Sequence, residues 1–545
     1  MSKLNWSICC KMAQEEPGKE HTILQSQETI ADNPTYYTYV YGTNPPPDVK
    51  GRVMCTGRNK DGELTVTKMR ANAHQLIFGA SGSCKTQGPV LSELANMDGR
   101  TSYIVFDTKG EVTPLVYGLA VEKYGVNNVF IANFKDPAHS MIRLNPFVPL
   151  GDLWLSSEYT HPKRRQEIRD DIVSQVLKYV ERAMPVKNRS EPSWETIPRE
   201  CNAGGLLALF EDLTLTPDQE KKNRRPKTLP HQINFNTVSR ISNTFLTGTS
   251  SMFYDHGFFS KRDSESPAYK AAKPLVNNAS NTRLNYLAFQ RDQLNQFESP
   301  KIKAMSKNNT FDFLLMGKTP TVLFIIYDQS DTQSREYINF IVSCALESLL
   351  NEGNKIPGGL PVPVVTLIDE FPTLKANPVY KELLASSRGC NIYLSLVLQS
   401  LSQLKSLYPE DWSSMINNCS LQIFLGTNDV DTAMGFSKKL GQTTIPEPKA
   451  FLQGHYESQT VPVVTHDQLM HRMKPGECYL CIDRQMPVHG TFELFYKTKE
   501  YHTHPRAHLD KFKPIKPEDN LTEYSVSWLY REDDDDDDFD IDDLF

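Results

Sequence analysis

The sequence has no apolar run close to the ~20 residues that a membrane-spanning helix needs, although it is 545 residues long. Its ten cysteines are scattered along the chain, so they form no compact disulfide framework of the kind found in small secreted domains. The first residues lack the basic, apolar and small-residue zones of a secretory signal. These absences predict a cytoplasmic protein, and the length allows several domains with a full hydrophobic core.

A glycine-rich stretch at 79–86 follows a short apolar strand and precedes a predicted helix. Such loops wrap nucleotide phosphates with backbone N–H groups, while a lysine contacts the β- and γ-phosphates and a hydroxyl holds Mg²⁺. Cys84 stands where the pattern GxxxxGK[ST] has glycine, and its side chain is expected to distort the loop. A chance loop between strand and helix is the alternative interpretation of this stretch alone. The predicted ATP-binding residues are Gly79, Ala80, Ser81, Gly82, Ser83, Cys84, Lys85 and Thr86.

An apolar run that ends in Asp369 and Glu370 supplies the second part of the predicted site. A carboxylate at the end of a buried strand is placed to hold Mg²⁺, so Thr86 and Asp369 are the predicted metal ligands. Glu370 is the predicted base that polarises the attacking water, and its presence favours hydrolysis. Gln399, at a neighbouring strand end, is predicted to sense the γ-phosphate. Such strand ends are common by chance, but the order of these motifs argues against chance.

Two basic features each have two open interpretations. Arg388 lies on a predicted turn, where it would reach the nucleotide of an adjacent subunit in a ring or remain an ordinary surface arginine. The run at 221–227 contains five basic residues. It is either a solvated loop or a patch that contacts phosphates.

The arrangement of periodic segments predicts the domain organisation. Alternating strands and helices predict a parallel α/β nucleotide-binding domain in two parts, 51–150 and 311–505. Apolar residues at four-residue steps predict an all-α insertion at 151–310. The ends are predicted to be an N-terminal arm at 1–50 and a disordered acidic tail at 506–545. The tail is assigned because the last fourteen residues contain ten acids and no base.

Motifs in a fixed order extend over about 75–500. They lie at 79–86, 107–111, 143–147, 367–374, 398–404, 416–418, 426–429, 463–469 and 475–477. The most specific feature is an Asp-Glu-Phe strand end followed some thirty residues later by Gln-Ser-Leu-Ser-Gln-Leu. In these motifs the chain resembles the coupling proteins of type IV secretion and conjugation, the TraG/TraD-type DNA-transfer ATPases, which are relatives of FtsK-type DNA motors.

The resemblance implies a RecA-like P-loop domain with an inserted all-α domain, a hexameric ring at work, and ATP with Mg²⁺. It implies a coupling ATPase of a conjugative type IV secretion system that recruits the relaxase–DNA complex and drives DNA toward the channel. DNA would be bound through its backbone phosphates, without sequence preference. Many relatives carry N-terminal membrane helices. This sequence has no apolar run long enough for such a helix. We therefore expect this chain to meet the inner face of the cell membrane through a membrane-anchored channel component.

Two other functions stay open on the sequence. One is a nucleotide-gated receptor that recruits substrate but hydrolyses little, which Cys84 favours and Glu370 opposes. The other is a secretion ATPase that acts on protein rather than DNA. The acidic tail is either a solubilising segment or a docking peptide for relaxosome proteins, which the all-α domain is also expected to bind. The apolar contacts of such a peptide would be Phe539, Ile541, Leu544 and Phe545.

Overall fold

The strands that the apolar runs predict assemble into a mixed sheet in the structure, a computed structural model. Near the N-terminus it describes four strands, at 25–26, 36–40, 53–58 and 64–69. From there on it describes residues 74–186, 190–223, 225–246, 258–259, 262–276, 278, 280–446, 458–482, 486–516 and 521–526. Most of the predicted arm at 1–50 and the acidic run at 532–545 lie outside the described residues.

The described strands are numbered β1 to β15 in chain order. They are Gln25–Ser26, Tyr36–Val40, Val53–Arg58, Leu64–Met69, Gln75–Phe78, Ser102–Asp107, Val129–Asn133, Val322–Ile326, Val364–Ile368, Ile392–Leu398, Leu421–Phe424, Gln442–Pro446, Ser458–Pro462, Glu477–Ile482 and Val488–Thr491. Ten of these form the main sheet, in the order β1-β15-β14-β11-β5-β10-β9-β6-β8-β7. The other five form a three-stranded sheet, β2-β4-β3, and the hairpin β12-β13.

The centre of the main sheet is parallel. All neighbours from β11 to β7 pair in parallel, whereas β14 pairs antiparallel with both β11 and β15. Central strands such as β8 and β9 are buried along their whole length. This burial explains their continuous apolar sequences, since a parallel sheet is covered on both faces. The predicted α/β class is confirmed.

The described α-helices are numbered α1 to α17. They are Leu91–Ala95, Val112–Tyr124, Phe147–Ser157, Pro162–Ala183, Ser193–Glu211, Pro217–Asn223, Phe235–Leu246, Pro267–Val276, Ser280–Asn295, Pro300–Met305, Thr332–Lys355, Pro378–Ser386, Leu401–Leu407, Trp412–Asn417, Val430–Leu440, His466–His471 and Lys499–Thr503. A π-helical turn, Thr86–Val90, leads into α1. Within the part of the chain that the structure describes, no helix combines the length and apolar composition that crossing a membrane would require.

The chain divides into two units. The nucleotide unit consists of Met1–Lys135, Asp312–Asp331 and Ala345–Phe512, and it contains the main sheet. The helical unit consists of Asp136–Phe311, Thr332–Cys344 and Lys513–Phe545. It therefore begins earlier than the predicted insertion at 151–310, and it also takes in the first half of α11. Its described residues between 136 and 311 contain helices and turns but no strand.

Paired charges are buried inside the helical unit. Arg262 donates to Glu211 Oε2 at 2.8 Å and to Asp212 Oδ2 at 2.7 Å. Arg225 lies 3.4 Å from the same Asp212 oxygen and is itself buried. Buried charges are tolerated when they are paired in this way. Arg225, a member of the basic run at 221–227, is thus internal and belongs neither to a solvated loop nor to a phosphate-binding patch.

The chain is ordered just beyond residue 505. The N–H of Ala507 donates to the carbonyl of Pro114 at 2.9 Å. The ring of Phe512 contacts Tyr117, with centroids 4.9 Å apart. These contacts hold the segment against α2 of the nucleotide unit. They correct the predicted disordered tail over 506–545 in its first part.

A second part of the predicted tail packs in the helical unit. Tyr524 is only 1% exposed, and the carbonyl of Thr522 accepts a hydrogen bond from Gln232 Nε2 at 3.1 Å. Burial of one large aromatic ring offsets part of the entropy lost when a short segment is ordered, because such a ring removes a large apolar area from water. The prediction of disorder over 506–545 was based on the acidic residues of 532–545, and it was extended to earlier residues that make contacts of their own.

Candidate nucleotide site

The predicted nucleotide-binding residues meet at one edge of the sheet. Strands β5, β9 and β10 are parallel neighbours, with Phe78 opposite Leu398 and Ile368 opposite Leu396. Their carboxyl ends therefore lie side by side, and each of the three is followed at once by a predicted motif. In open parallel sheets this edge is where ligands bind.

The phosphate loop at 79–86 is fixed by backbone hydrogen bonds to the two neighbouring strand ends. The N–H of Gly79 donates to the carbonyl of Leu398 at 3.1 Å, and that of Ala80 to the carbonyl of Gly426 at 2.9 Å. Inside the loop, the N–H of Ser83 donates to the Ala80 carbonyl at 3.1 Å. The loop is thus a closed turn over Ser81 and Gly82, both exposed, with its path set by β10 and β11.

Cys84 has a left-handed backbone conformation, with φ of 65°. A side chain costs roughly 1–2 kcal/mol in this region, which glycine adopts freely. The loop nevertheless closes, since the Cys84 carbonyl accepts the N–H of Gly88 at 2.7 Å. The glycine of the general pattern is therefore replaced at a position whose backbone conformation favours glycine.

The side chain of Lys85 is buried and folds back over its own loop. Its Nζ donates to the carbonyl of Gly79 at 2.7 Å and to that of Ala80 at 3.0 Å. Burial lowers the pKa of Lys85, while the charges of Glu370 and Asp369 raise it. Lys85 thus lies between the loop and the two carboxylates, where a bound phosphate would meet its charge.

Thr86 and Asp369 are in direct contact. The Thr86 hydroxyl donates to Asp369 Oδ2 at 2.9 Å, which joins the phosphate loop to the end of β9. The buried Oδ1 of Asp369 accepts no hydrogen bond from any described residue. Burial raises the pKa of Asp369 to about 6, opposed by the Thr86 hydrogen bond and assisted by the charge of Glu370.

These two residues fit a magnesium ion. Mg²⁺ takes oxygen ligands and is held in nucleotide sites by one or two protein groups together with substrate phosphates. A hydroxyl and a carboxylate with an unused buried oxygen supply such ligands. When bound, Mg²⁺ would neutralise charge on the phosphates.

Glu370 and Gln399 form the other side of the edge. Gln399 Nε2 donates to Glu370 Oε2 at 3.1 Å, and the backbone N–H of Gln399 donates to Gln403 Oε1 at 2.9 Å. Glu370 has a left-handed φ of 60°, which turns the chain sharply where β9 ends. The carboxylate and the amide are therefore held beside each other and close to Asp369.

Arg388 is not part of this cluster. It precedes β10, at the opposite edge of the sheet, and its Nη1 donates to Ser420 Oγ at 3.1 Å. Seven strand residues separate it from Gln399, which corresponds to roughly 20 Å along the strand. Arg388 therefore cannot reach the phosphate loop of its own chain, and the trans role stays a prediction.

Two residues contribute contacts to the site that were not predicted. Gly426 contributes a carbonyl to the phosphate loop, and Gln403 contributes an amide oxygen to the backbone of Gln399. Both residues lie within motifs on which the family resemblance rests, but the sequence does not indicate which contacts they make. A backbone acceptor has no side-chain signature, which is why Gly426 was missed.

Residues 19–460 match the family described as type IV secretory system conjugative DNA transfer. The conjugal transfer protein TraG of Escherichia coli is 24% identical over 464 residues, which cover 82% of this chain and 68% of TraG. Among solved structures, the unbound bacterial conjugative coupling protein TrwBdeltaN70 superposes with a TM-score of 0.56 at 16% identity, covering 80% of this chain and 87% of that one.

The plasmid coupling protein TrwB in complex with ADP and Mg²⁺ gives a TM-score of 0.53 at 16% identity, covering 77% of this chain and 85% of that one. At this identity the structural matches show that the fold is shared. The family match spans most of the chain and includes both the phosphate loop and the Asp-Glu strand end. The chain belongs to the type IV secretory system family for conjugative DNA transfer.

Proposed function

We propose that this chain is a coupling ATPase, which binds ATP with Mg²⁺ and uses hydrolysis to drive DNA transfer toward a conjugative secretion channel. The observation that carries the proposal is the hydrogen bond between Thr86 and Asp369. It joins the phosphate loop to a strand end whose next residue, Glu370, is paired with Gln399. Family membership supports the role in DNA transfer.

Each polar group of the site has a separate task in this proposal. Lys85 and the loop N–H groups bind the phosphates, and Thr86 and Asp369 hold the metal. Glu370 orients the attacking water and accepts its proton, and Gln399 holds Glu370 and senses the γ-phosphate. The solved complex of TrwB with ADP and Mg²⁺ supports these ligands.

The partners follow from the family. We propose that the chain binds DNA without sequence preference, so that added salt weakens the complex. The proposed assembly also contains relaxase or other relaxosome proteins and a membrane-anchored channel component at the inner face of the cell membrane. Further copies of the chain complete it as a hexamer. In that ring Arg388 is the proposed contact to the neighbouring nucleotide.

Steady-state ATP hydrolysis by the purified chain, with and without DNA, tests the proposal. Turnover should rise with DNA and fall to background in Lys85→Ala and Glu370→Gln. Lys318→Ala and Glu382→Gln are matched controls, because both residues are exposed and away from the site. Turnover that survives Glu370→Gln would contradict the role of Glu370. Turnover that responds to protein substrate but never to DNA would instead favour a secretion ATPase for protein.

The strained backbone of Cys84 specifically favours a second function, a nucleotide-gated receptor with little hydrolysis. A receptor needs nucleotide binding but no turnover. ATP binding that is lost in Lys85→Ala, together with absent turnover in every condition, would support the receptor and reject the motor.

A further inference from the structure

Two segments that follow β10 and β11, the strands on either side of β5, are joined by side chains at the starts of α13 and α15. The N–H of Leu401, after β10, donates to the hydroxyl of Thr432 at 2.8 Å. The hydroxyl of Ser402 donates to Asp429 Oδ1 at 2.8 Å. Thr432 in turn donates its hydroxyl proton to Asp429 Oδ2. One threonine and one carboxylate thus connect the segment after β10 with the segment after β11.

Helix capping accounts for only part of this arrangement. Asp429 caps α15 by accepting the N–H of Thr432 at 2.9 Å, as aspartate does at many helix starts. The bonds from Leu401 and Ser402 come from another segment and contribute nothing to that cap. Partial burial raises the pKa of Asp429, but the hydrogen bonds from Thr432 and Ser402 outweigh it and lower the pKa overall. These hydrogen bonds thus favour the ionised form of the Asp429 carboxylate between the two segments.

Both joined segments also contain residues that contact the nucleotide site. Leu401 stands two residues after Gln399, whose side chain contacts Glu370. Asp429 stands three residues after Gly426, whose carbonyl holds the N–H of Ala80 in the phosphate loop. The Asp429–Thr432 pair therefore links the segment that carries the phosphate loop's partner with the segment that carries Gln399. An exposed ion pair of Lys405 with Asp431 at 3.3 Å joins the same two helices farther from the site.

We propose that Asp429 and Thr432 are positioning residues that keep Gln399 in register with the phosphate loop, so that Gln399 and Glu370 respond to a γ-phosphate. The inference rests on the proposed function, since it assigns a task to residues outside the catalytic contacts. A displacement of about 1 Å in a catalytic group costs up to about 100-fold in rate. The effect of losing the link is thus expected in turnover more than in binding.

Thr432→Val in the full chain removes the hydroxyl at nearly constant volume and leaves the N–H that Asp429 caps. Asp429→Asn is the second variant. Asparagine caps helices as well as aspartate, but it has one acceptor oxygen where aspartate has two for the hydrogen bonds from Ser402 and Thr432. Thr465→Val is the matched control, because it deletes a capping hydroxyl of α16 whose hydrogen bonds are to Gln468 within the same helix start. The change in melting temperature is measured with Mg²⁺–ADP and with Mg²⁺–AMP-PNP, beside kcat and KM for ATP.

In the wild-type chain AMP-PNP should stabilise more than ADP. Thr432→Val and Asp429→Asn should keep the ADP shift, lose the additional AMP-PNP shift, and lower kcat about 10- to 100-fold with KM within about threefold. Thr465→Val should lower all melting temperatures equally. In a Gln399→Ala background, Thr432→Val should cause no further loss, because the pair acts through Gln399.

Three results would overturn the inference. The first is a wild-type chain that binds both nucleotides with equal stabilisation. The second is a Thr432→Val chain that discriminates as wild type does, and the third is additive loss in the Gln399→Ala background. Absence of turnover in the wild type would reject the proposed motor alone, since the comparison of AMP-PNP with ADP still tests the link.

Discussion

Replacing Asp369 with asparagine is expected to stabilise the nucleotide-free protein while removing its response to magnesium. Asparagine has nearly the shape of aspartate and can still accept the hydrogen bond that Thr86 donates to Asp369 Oδ2 at 2.9 Å. It carries no charge, however, and therefore avoids the cost of ionising a buried group. In the proposed function, that charge is what holds the metal.

The magnitude follows from the raised pKa. Burial raises the pKa of Asp369 from 3.8 to about 6, and one unit corresponds to about 1.4 kcal/mol, so ionisation in the folded chain costs about 3 kcal/mol. Below pH 3.8 the group is protonated in both states and contributes no difference. Between about pH 4 and pH 6 only the unfolded chain is ionised, so wild-type stability falls as pH rises. Above pH 7 the whole cost of about 3 kcal/mol is present.

Urea unfolding in the presence of EDTA measures the effect across pH 4 to 8. The free energy of unfolding of Asp369→Asn should exceed that of wild type by about 3 kcal/mol at pH 7.5 and by less than about 1 kcal/mol at pH 4. Asp292→Asn, at an exposed carboxylate of the helical unit, is the control and should leave the free energy of unfolding within about 0.5 kcal/mol of wild type at both pH values. A gap of equal size at both pH values, or a variant less stable than wild type at pH 7.5, would refute the argument. Added Mg²⁺–ADP should stabilise wild type much more than the variant.

Substitutions at three further residues test the loop and the C-terminal segment. Cys84→Gly should leave stability within about 1 kcal/mol and retain ATP binding in a titration, whereas Cys84→Val should abolish it, since β-branched residues rarely adopt positive φ. Gly79→Ala should also weaken ATP binding, because an added Cβ would meet Ser83 Oγ and would lie 2.9 Å from Cγ of Lys85, the lysine proposed to bind the phosphates, while Gly389→Ala meets open space and should bind normally. Tyr524→Ala should lower the free energy of unfolding by about 3 kcal/mol in urea, and Tyr159→Ala, at a 94% exposed residue, by less than about 0.5 kcal/mol.

The meeting of the main motifs could be predicted from the sequence. Lys85, Asp369 and Gln399 each follow an apolar run, and the carboxyl ends of parallel strands share one edge. Their convergence therefore required only the correct identification of three strands as parallel. The special backbone position of Cys84 was also visible, because a loop pattern that demands glycine marks a conformation as well as a residue type.

Contacts that depend on tertiary packing could not be predicted. The Ala80–Gly426 bond joins backbone atoms far apart in sequence, and no side-chain pattern encodes it. Tyr524 was hidden by composition, because the acids of 532–545 dominate the charge of the C-terminal region. Arg388 lies apart from the cluster for a geometric reason, since its turn precedes the strand that Gln399 follows, and the two ends of one strand lie at opposite edges of the sheet; its role toward a neighbouring subunit stays a prediction.

Unfavourable states are concentrated at the carboxyl edge of β5, β9 and β10. The structure describes three non-glycine residues with positive φ, and two of them, Cys84 and Glu370, are in the site. Asp369 adds a buried carboxylate with an oxygen that no described residue satisfies. Backbone strain and buried charge persist only where the surrounding structure enforces them. A cation beside Asp369 and a phosphate beside Lys85 would relieve the electrostatic part of this cost. Nucleotide binding with Mg²⁺ should therefore release a proton from Asp369 near pH 6, and stabilise this unit most above that pH, where the carboxylate would otherwise be ionised without a bound cation.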